Sequence, residues 1–258
     1  MTELTLHRYG KPGGPTLVLV HGLTEDATTW PDAVEHWGDR FDLLTVDLRG
    51  HGTSPRFTAS QMGSTSRVMQ DDLEALLASL PSPPVIVGHS LGGYLAARIA
   101  LETPHLIRGA VLEDPAKPPQ DGEETTFDQS LFRSEQLAFV DLVTAHREDE
   151  IQRMELETPW SRAEIEAWAD SKARVDRSYL AEGLALAEGP WEVGLFSELS
   201  VATLVVVPAG GEMAPDVRKA ANPLVERVDV EGAGHCVRRD RPEEFFAAVD
   251  AFLTRVLS

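Results

Sequence analysis

The sequence predicts an α/β protein built on a mostly parallel, twisted sheet, and three observations carry that expectation. Short apolar, β-branched runs recur along the chain, and the stretches between most of them show helical periodicity. The 258 residues, 42% hydrophobic and 25% charged, suit one globular domain, or one domain with a large insertion. A chain of this size buries roughly three quarters of the surface that its unfolded form exposes, so neither metal nor disulfide is required for folding.

Residues 4–9 alternate apolar and polar side chains. Gly10-Lys11-Pro12-Gly13-Gly14-Pro15 then turns the chain into Thr16-Leu17-Val18-Leu19-Val20, which predicts a hairpin leading into a buried central strand. Further strands are predicted at 43–46, 85–87, 110–112, 203–207 and 225–230. A helix is expected over 68–80, with Leu73, Leu76, Leu77 and Leu80 on one face. The last helix, 242–257, starts with a proline and packs through Phe245, Phe246, Val249, Phe252 and Leu253.

Between residues 115 and 200 the rhythm breaks. No strand is expected there, only helical patterns at 129–143, 151–156, 162–172 and 177–188. This stretch holds 19 acidic and 8 basic side chains, net −11 out of −19 for the whole chain. It also carries Trp160, Trp168 and Trp191, three of the five tryptophans. The organisation expected is therefore a core of 1–114 and 201–258 interrupted by a helical lid at 115–200.

The strongest chemical signal is Val85-Ile86-Val87-Gly88-His89-Ser90-Leu91-Gly92-Gly93-Tyr94. A buried strand runs into Gly-x-Ser-x-Gly and straight on into a helical pattern. That context is what a nucleophile elbow requires: small residues let the strand turn sharply into a helix, and the strained turn pushes the Ser90 hydroxyl into the open. The Leu91 amide then lies at a helix start, where free N–H groups favour an anion.

With that motif, the chain resembles the α/β-hydrolase superfamily over nearly its whole length. The resemblance rests also on Leu19-Val20-His21-Gly22-Leu23, Asp47-Leu48-Arg49-Gly50-His51-Gly52-Thr53-Ser54 and Gly232-Ala233-Gly234-His235. It implies a helical cap inserted after the family's sixth strand, where residues 115–200 fall, and a short N-terminus lacking the family's first strand. It implies further that Ser90 is the nucleophile, His235 the general base, and the Leu23 and Leu91 amides the oxyanion hole. His21 reads chiefly as a turn residue, and Asp47 to Gly52 as a brace. The acid has two main candidates. Glu212 follows the strand after the cap, whereas Asp114 follows the preceding strand. Glu212 is narrowly preferred, with Asp216 and Glu113 as lesser alternatives. His21, His89, Trp160, Trp168 and Trp191 are the residues expected around the substrate.

The activity expected is cofactor-independent hydrolysis of a carboxylic ester or lactone through an acyl-enzyme. The same residues would serve a thioester or C–C bond hydrolase, or a ligand-binding protein with little turnover. A serine at the elbow argues against the epoxide hydrolases and haloalkane dehalogenases that resemble it, which need an aspartate there. The net charge of −19 and pI near 4.7 oppose binding to nucleic acid or anionic membrane, and a neutral, partly apolar small molecule is the expected substrate. Cys236 is the one cysteine and reads as a packing residue; the eight histidines are scattered, and no metal site is expected. No secretory leader and no apolar run near 18 residues is read, so a cytoplasmic location is expected; the oligomeric state is not legible.

Overall fold

A computed structural model describes residues 4–118, 128–187, 191, 193–211 and 215–258. Seven strands form one sheet: β1 (Leu6–Gly10), β2 (Thr16–Val20), β3 (Asp42–Val46), β4 (Val85–His89), β5 (Gly109–Glu113), β6 (Thr203–Pro208) and β7 (Val225–Val230). Their spatial order is β1-β3-β2-β4-β5-β6-β7, and only β1 runs antiparallel to its neighbour.

The period-two geometry of the strands sorts their side chains onto two buried faces. Val18, Val20, Ile86, Leu112 and Val205 face one side. There they meet α2 (Thr65–Ser79) and α3 (Leu91–Glu102) through Leu73, Leu77, Leu95 and Ile99. Leu17, Leu19, Val85, Val87, Val111, Leu204 and Val206 face the other. That side is covered by Trp37 of α1 (Pro31–Trp37) and by Phe245, Phe246, Val249, Phe252 and Leu253 of α9 (Pro242–Leu257). The final helix thus has the bounds and the apolar stripe expected of it. Pro242 starts it, and Glu243 and Glu244 lie in its first turn, where the exposed amides favour negative charge.

Two expectations need correction. The first strand does not form a hairpin with β2. It pairs with β3 instead, Leu6 opposite Val46 and Gly10 opposite Asp42. Strand β2 has no free edge, since β3 and β4 occupy both its sides in parallel. Gly10, at φ 80°, turns the chain away against the Phe41 carbonyl, where a β-carbon would sit 2.3 Å from that oxygen. The other concerns the helix expected at 177–188. Among the described residues helical structure starts at 177 as expected but runs only to 183, its last turn being Tyr179–Gly183. Gly183 is pulled against the start of α2, its carbonyl accepting from Thr65 Oγ1, and this ends the turn.

Between β5 and β6 lie α4 (Gln129–Ala145), α5 (Arg147–Glu157), α6 (Arg162–Lys172) and the short α7 (Val193–Glu198). Asp128 caps α4 by accepting from the Ser130 and Leu131 amides, and Ser161 caps α6 through the Glu164 amide. Val143, Ile151, Met154, Ile165, Trp168 and Ala169 give these helices a small core of their own. A last short helix, α8 (Val237–Asp240), directly precedes α9.

The segment after β3 acts as a brace. The buried Asp47 carboxylate accepts from the amides of Ala27 and Thr53, both at 2.8 Å, and from Thr53 Oγ1. Asp47→Ala should therefore strand these donors and lower the unfolding free energy by about 2–4 kcal/mol. Urea unfolding measures this; a change below about 0.5 kcal/mol would remove Asp47 from the brace.

Candidate active site

The parallel strands deliver their following loops to one edge of the sheet, and the chemically interesting residues collect there. Ser90 stands between β4 and α3 at φ 51°, ψ −110°, a conformation that costs energy for any residue other than glycine. The turn is possible because its neighbours lack side chains. A β-carbon on Gly88 would lie 2.2 Å from the Gly92 carbonyl oxygen, and one on Gly92 would lie 2.1 Å from that of Val20. Backbone bonds then lock the turn: Ser90 N–H donates to Glu113 O at 2.9 Å, while Ser90 O accepts from Tyr94 and Ala116. Ser90 is 9% exposed, and its hydroxyl makes no hydrogen bond to a described residue.

Asp114 leaves β5 beside it, at φ 35°, with its amide bonded to Val206 O. Its carboxylate Oδ2 lies 2.6 Å from Nδ1 of His235. An ionised carboxylate can only accept, so Nδ1 donates, and in the neutral imidazole this tautomer leaves the lone pair on Nε2. The Asp114 side chain is buried, whereas that of His235 is 42% exposed. The structure therefore brings Asp114 to His235. Glu212, narrowly preferred from the sequence, lies outside the described residues. Asp216 is occupied at the surface with Arg218 and Lys219, and Glu113 accepts from the Arg238 amide.

The loop after β2 comes equally close. A β-carbon on Gly22 would sit 2.7 Å from His89 Nδ1 and 3.4 Å from Ser90 Cβ. The Leu23 amide in this loop and the Leu91 amide at the start of α3 make no hydrogen bond to described residues. His21 is wholly buried, contacting Gly22 O through Nδ1 and accepting from Leu48 N–H through Nε2. Burial lowers its basicity. With both nitrogens spent on backbone it braces the turn.

The tryptophans divide between packing and the ring of groups near His235. Trp191 is buried against Tyr94 and Phe196 in the main core. Trp168 belongs to the core of the inserted helices, edge-on to Trp160. Trp160 donates to Asp240 Oδ1, and the Arg239 guanidinium lies over its ring.

Sequence reasoning missed a buried set of charges behind these loops. Arg239 bonds Glu164 of α6 at 2.7 Å and Glu25 of the loop after β2 at 2.5 Å. Arg238 pairs with Glu164 as well. Glu25 in turn lies 3.7 Å from His89 Nδ1, while His89 Nε2 donates to the His235 carbonyl at 3.2 Å, the two rings 4.8 Å apart. Burial opposes a charge on His89, but Glu113, Cys236 and Glu25 outweigh it and hold the imidazole well above its usual range. Burial likewise opposes ionisation of Glu25, yet Arg239 and His89 keep it well below the usual carboxylate range. The visible signal was Arg238-Arg239 directly after the His235 loop; its partners, 74 to 214 residues away, carry no local mark.

Ser90, Asp114 and His235 thus follow β4, β5 and β7 at the carboxyl edge of the parallel sheet. A model of the alpha/beta hydrolase family matches residues 17–249, and the chain belongs to that family, an enzyme family of hydrolases. It is 34% identical over 112 residues to a pimeloyl-[acyl-carrier protein] methyl ester esterase of Nitrosospira multiformis, a match covering 43% of each protein. To a 2-succinyl-6-hydroxy-2,4-cyclohexadiene-1-carboxylate synthase of Escherichia coli it is 29% identical, over 97% of this chain and 96% of that one. A thermophilic esterase from Thermogutta terrifontis, solved with malate bound, superposes with a TM-score of 0.72 at 26% identity, covering 99% of this chain and 94% of the other.

Since Glu25 helps hold the His89 charge, Glu25→Gln should move the His89 titration midpoint downward. NMR titration of the imidazole resonances measures it, and an unmoved midpoint would place the support elsewhere.

Proposed function

We propose that the protein is a serine-dependent hydrolase of carboxylic esters or lactones, acting through an acyl-enzyme. The observation that carries this reading is the 2.6 Å contact of His235 with the buried Asp114, which directly follows β5 as Ser90 follows the adjacent β4. In this reading Ser90 Oγ attacks the substrate carbonyl while His235 Nε2 takes the serine proton. Asp114 is the acid: it holds the Nδ1–H tautomer and stabilises the imidazolium as it forms. The carbonyl electron pair moves onto oxygen, where the Leu23 and Leu91 amides receive it; one such donor is worth roughly 10²–10³ in rate.

Collapse of the tetrahedral intermediate expels the alkoxide, which takes the proton back from His235. Water, deprotonated by the same nitrogen, then attacks the acyl-serine and regenerates Ser90 as the acid departs. No cofactor enters the scheme. Residues 115–200 serve as a cap over the sheet edge in this reading, and the partly exposed Trp160 supplies apolar surface for a neutral, partly apolar acyl group. Similarity to proteins named as esterases supports ester chemistry.

Hydrolysis of a panel of 4-nitrophenyl acyl esters and simple lactones tests the reading. Ser90→Ala should abolish turnover of any compound the wild type cleaves. Asp114→Asn should lower kcat by as much as about 10⁴, whereas Glu212→Gln should cost less than about tenfold. The opposite ranking would make Glu212 the acid, and undiminished turnover in Ser90→Ala would exclude the serine mechanism.

A further inference from the structure

The loop that carries the Leu23 amide is not held by the sheet alone. Thr24 adopts φ 61°, in the left-handed region that a β-branched residue avoids, so its shape must be imposed from outside. Its internal bond, Glu25 N–H to Gly22 O, is long at 3.3 Å. The holding contacts come from the inserted helix α6 and the residues just after it. Arg174 bonds Asp26 at 2.6 Å, Glu164 reaches Glu25 through Arg239, and Lys172 Nζ donates to the Thr24 carbonyl at 3.1 Å.

Lys172 is the unusual member. It is 1% exposed, its ammonium lies 5.1 Å from the ring centre of Trp168 and 5.8 Å from that of Phe139, and no carboxylate among the described residues is within ion-pair distance. Burying a lysine charge without a partner is costly, and a core position of this kind ordinarily takes leucine or methionine. What the charge does here is hold a backbone carbonyl. Ser171 Oγ also approaches Thr24 O, at 3.2 Å, but its single proton has a shorter acceptor in Trp168 O at 2.7 Å. Ser171 then accepts from Lys172 Nζ at 3.1 Å, which leaves Lys172 as the principal donor to Thr24.

We propose that Lys172 is a positioning residue for the oxyanion loop: its ammonium, presented by the inserted helix, fixes the Thr24 carbonyl and through it the Leu23 amide two peptide units away. The inference rests on the assignment of that amide as an oxyanion donor. It makes the insertion part of the catalytic geometry as well as a cover for the site, since moving α6 would release the loop.

Charge is the testable part. The groups facing Lys172 are Glu25, Asp26 and the Thr24 carbonyl on the loop, Arg239 and Cys236 after β7, Phe139 of α4, and Trp168 and Ser171 of its own helix. Burial pulls the lysine down to about 8, with Glu25 opposing and Arg239 adding to the fall. Loss of the proton leaves a neutral amine whose bond to Thr24 is roughly half as strong. Activity should fall as pH rises through that value. The stability contribution has the opposite sign. Between about 8 and the ordinary 10.5 the unfolded chain binds the extra proton, so this lysine's contribution to folding free energy increases as pH rises through that window.

The experiment measures kcat and KM for 4-nitrophenyl acetate from pH 6 to 10, with unfolding midpoints, for wild type, Lys172→Met, Lys172→Gln and Ser90→Ala. Wild type should lose kcat with a midpoint near 8 and no matching fall in KM. Lys172→Met should lose at least about tenfold in kcat and lack the alkaline limb. Lys172→Gln, which keeps an N–H donor, should be intermediate, also without the limb, and it decides the matter if the methionine variant does not fold. A folded Lys172→Met or Lys172→Gln with kcat within about twofold of wild type, or with the limb unmoved, overturns the assignment. Undiminished hydrolysis by Ser90→Ala would instead overturn the serine mechanism, so the two failures are distinguishable.

Discussion

The site depends on one steric constraint, the contact of β2, β4 and α3 through Gly88 and Gly92. Because no β-carbon intrudes, the chain passes from strand to helix within a single residue, and that residue is Ser90. The cost of its backbone conformation is spread over three hydrogen bonds to Glu113, Tyr94 and Ala116. The same contact aligns the ends of β2 and β4, Val20 opposite Gly88, so the loop bearing Leu23 emerges next to the serine. Asp114 follows from pairing as well: His89 lies opposite Glu113, so the next residues of the two strands leave the sheet together.

A second layer, made of charge, fixes the loops relative to one another. Glu164, Arg238, Arg239, Glu25 and His89 link the inserted helix, the loop after β2, the elbow and the segment after His235. Such buried pairs contribute little net stability compared with an apolar core, yet removing one member leaves an uncompensated charge and is strongly destabilising. Their value here is geometric. Each loop that delivers a proposed catalytic group is tied to a rigid element by a bond with a defined direction. The arginines of this group bond both carboxylates and the Thr29 carbonyl, whereas the lysine beside them bonds the Thr24 carbonyl and the Ser171 hydroxyl.

Much of the fold was legible because each strand carries its own signal. The β-branched runs at 203–207 and 225–230 and the helix at 242–257 lie within about one residue of the observed elements. The turns that carry Ser90 and His235 were legible for a related reason, since Gly88, Gly92 and Gly232 stand where the backbone demands glycine. Partner choice was not legible. Nothing in residues 4–9 distinguishes a hairpin with β2 from an edge pairing with β3, because that choice depends on which strand edge is free. The acid was ambiguous for the same reason. Two carboxylates follow two neighbouring strands; the described contact to His235 belongs to Asp114, while Glu212 lies outside the described residues. Glu25, Glu164 and Lys172 carry no local mark that sets them apart from the other charges of a strongly acidic chain; their burial is a tertiary property.

The central claim is that Ser90 is an activated nucleophile, and covalent capture tests it most directly. Wild type incubated with a fluorophosphonate should gain the mass of one phosphonyl group, located by peptide mass spectrometry on the segment containing Ser90, while Ser90→Ala should gain none. Label at another residue, or no label on a folded wild type, would contradict the account.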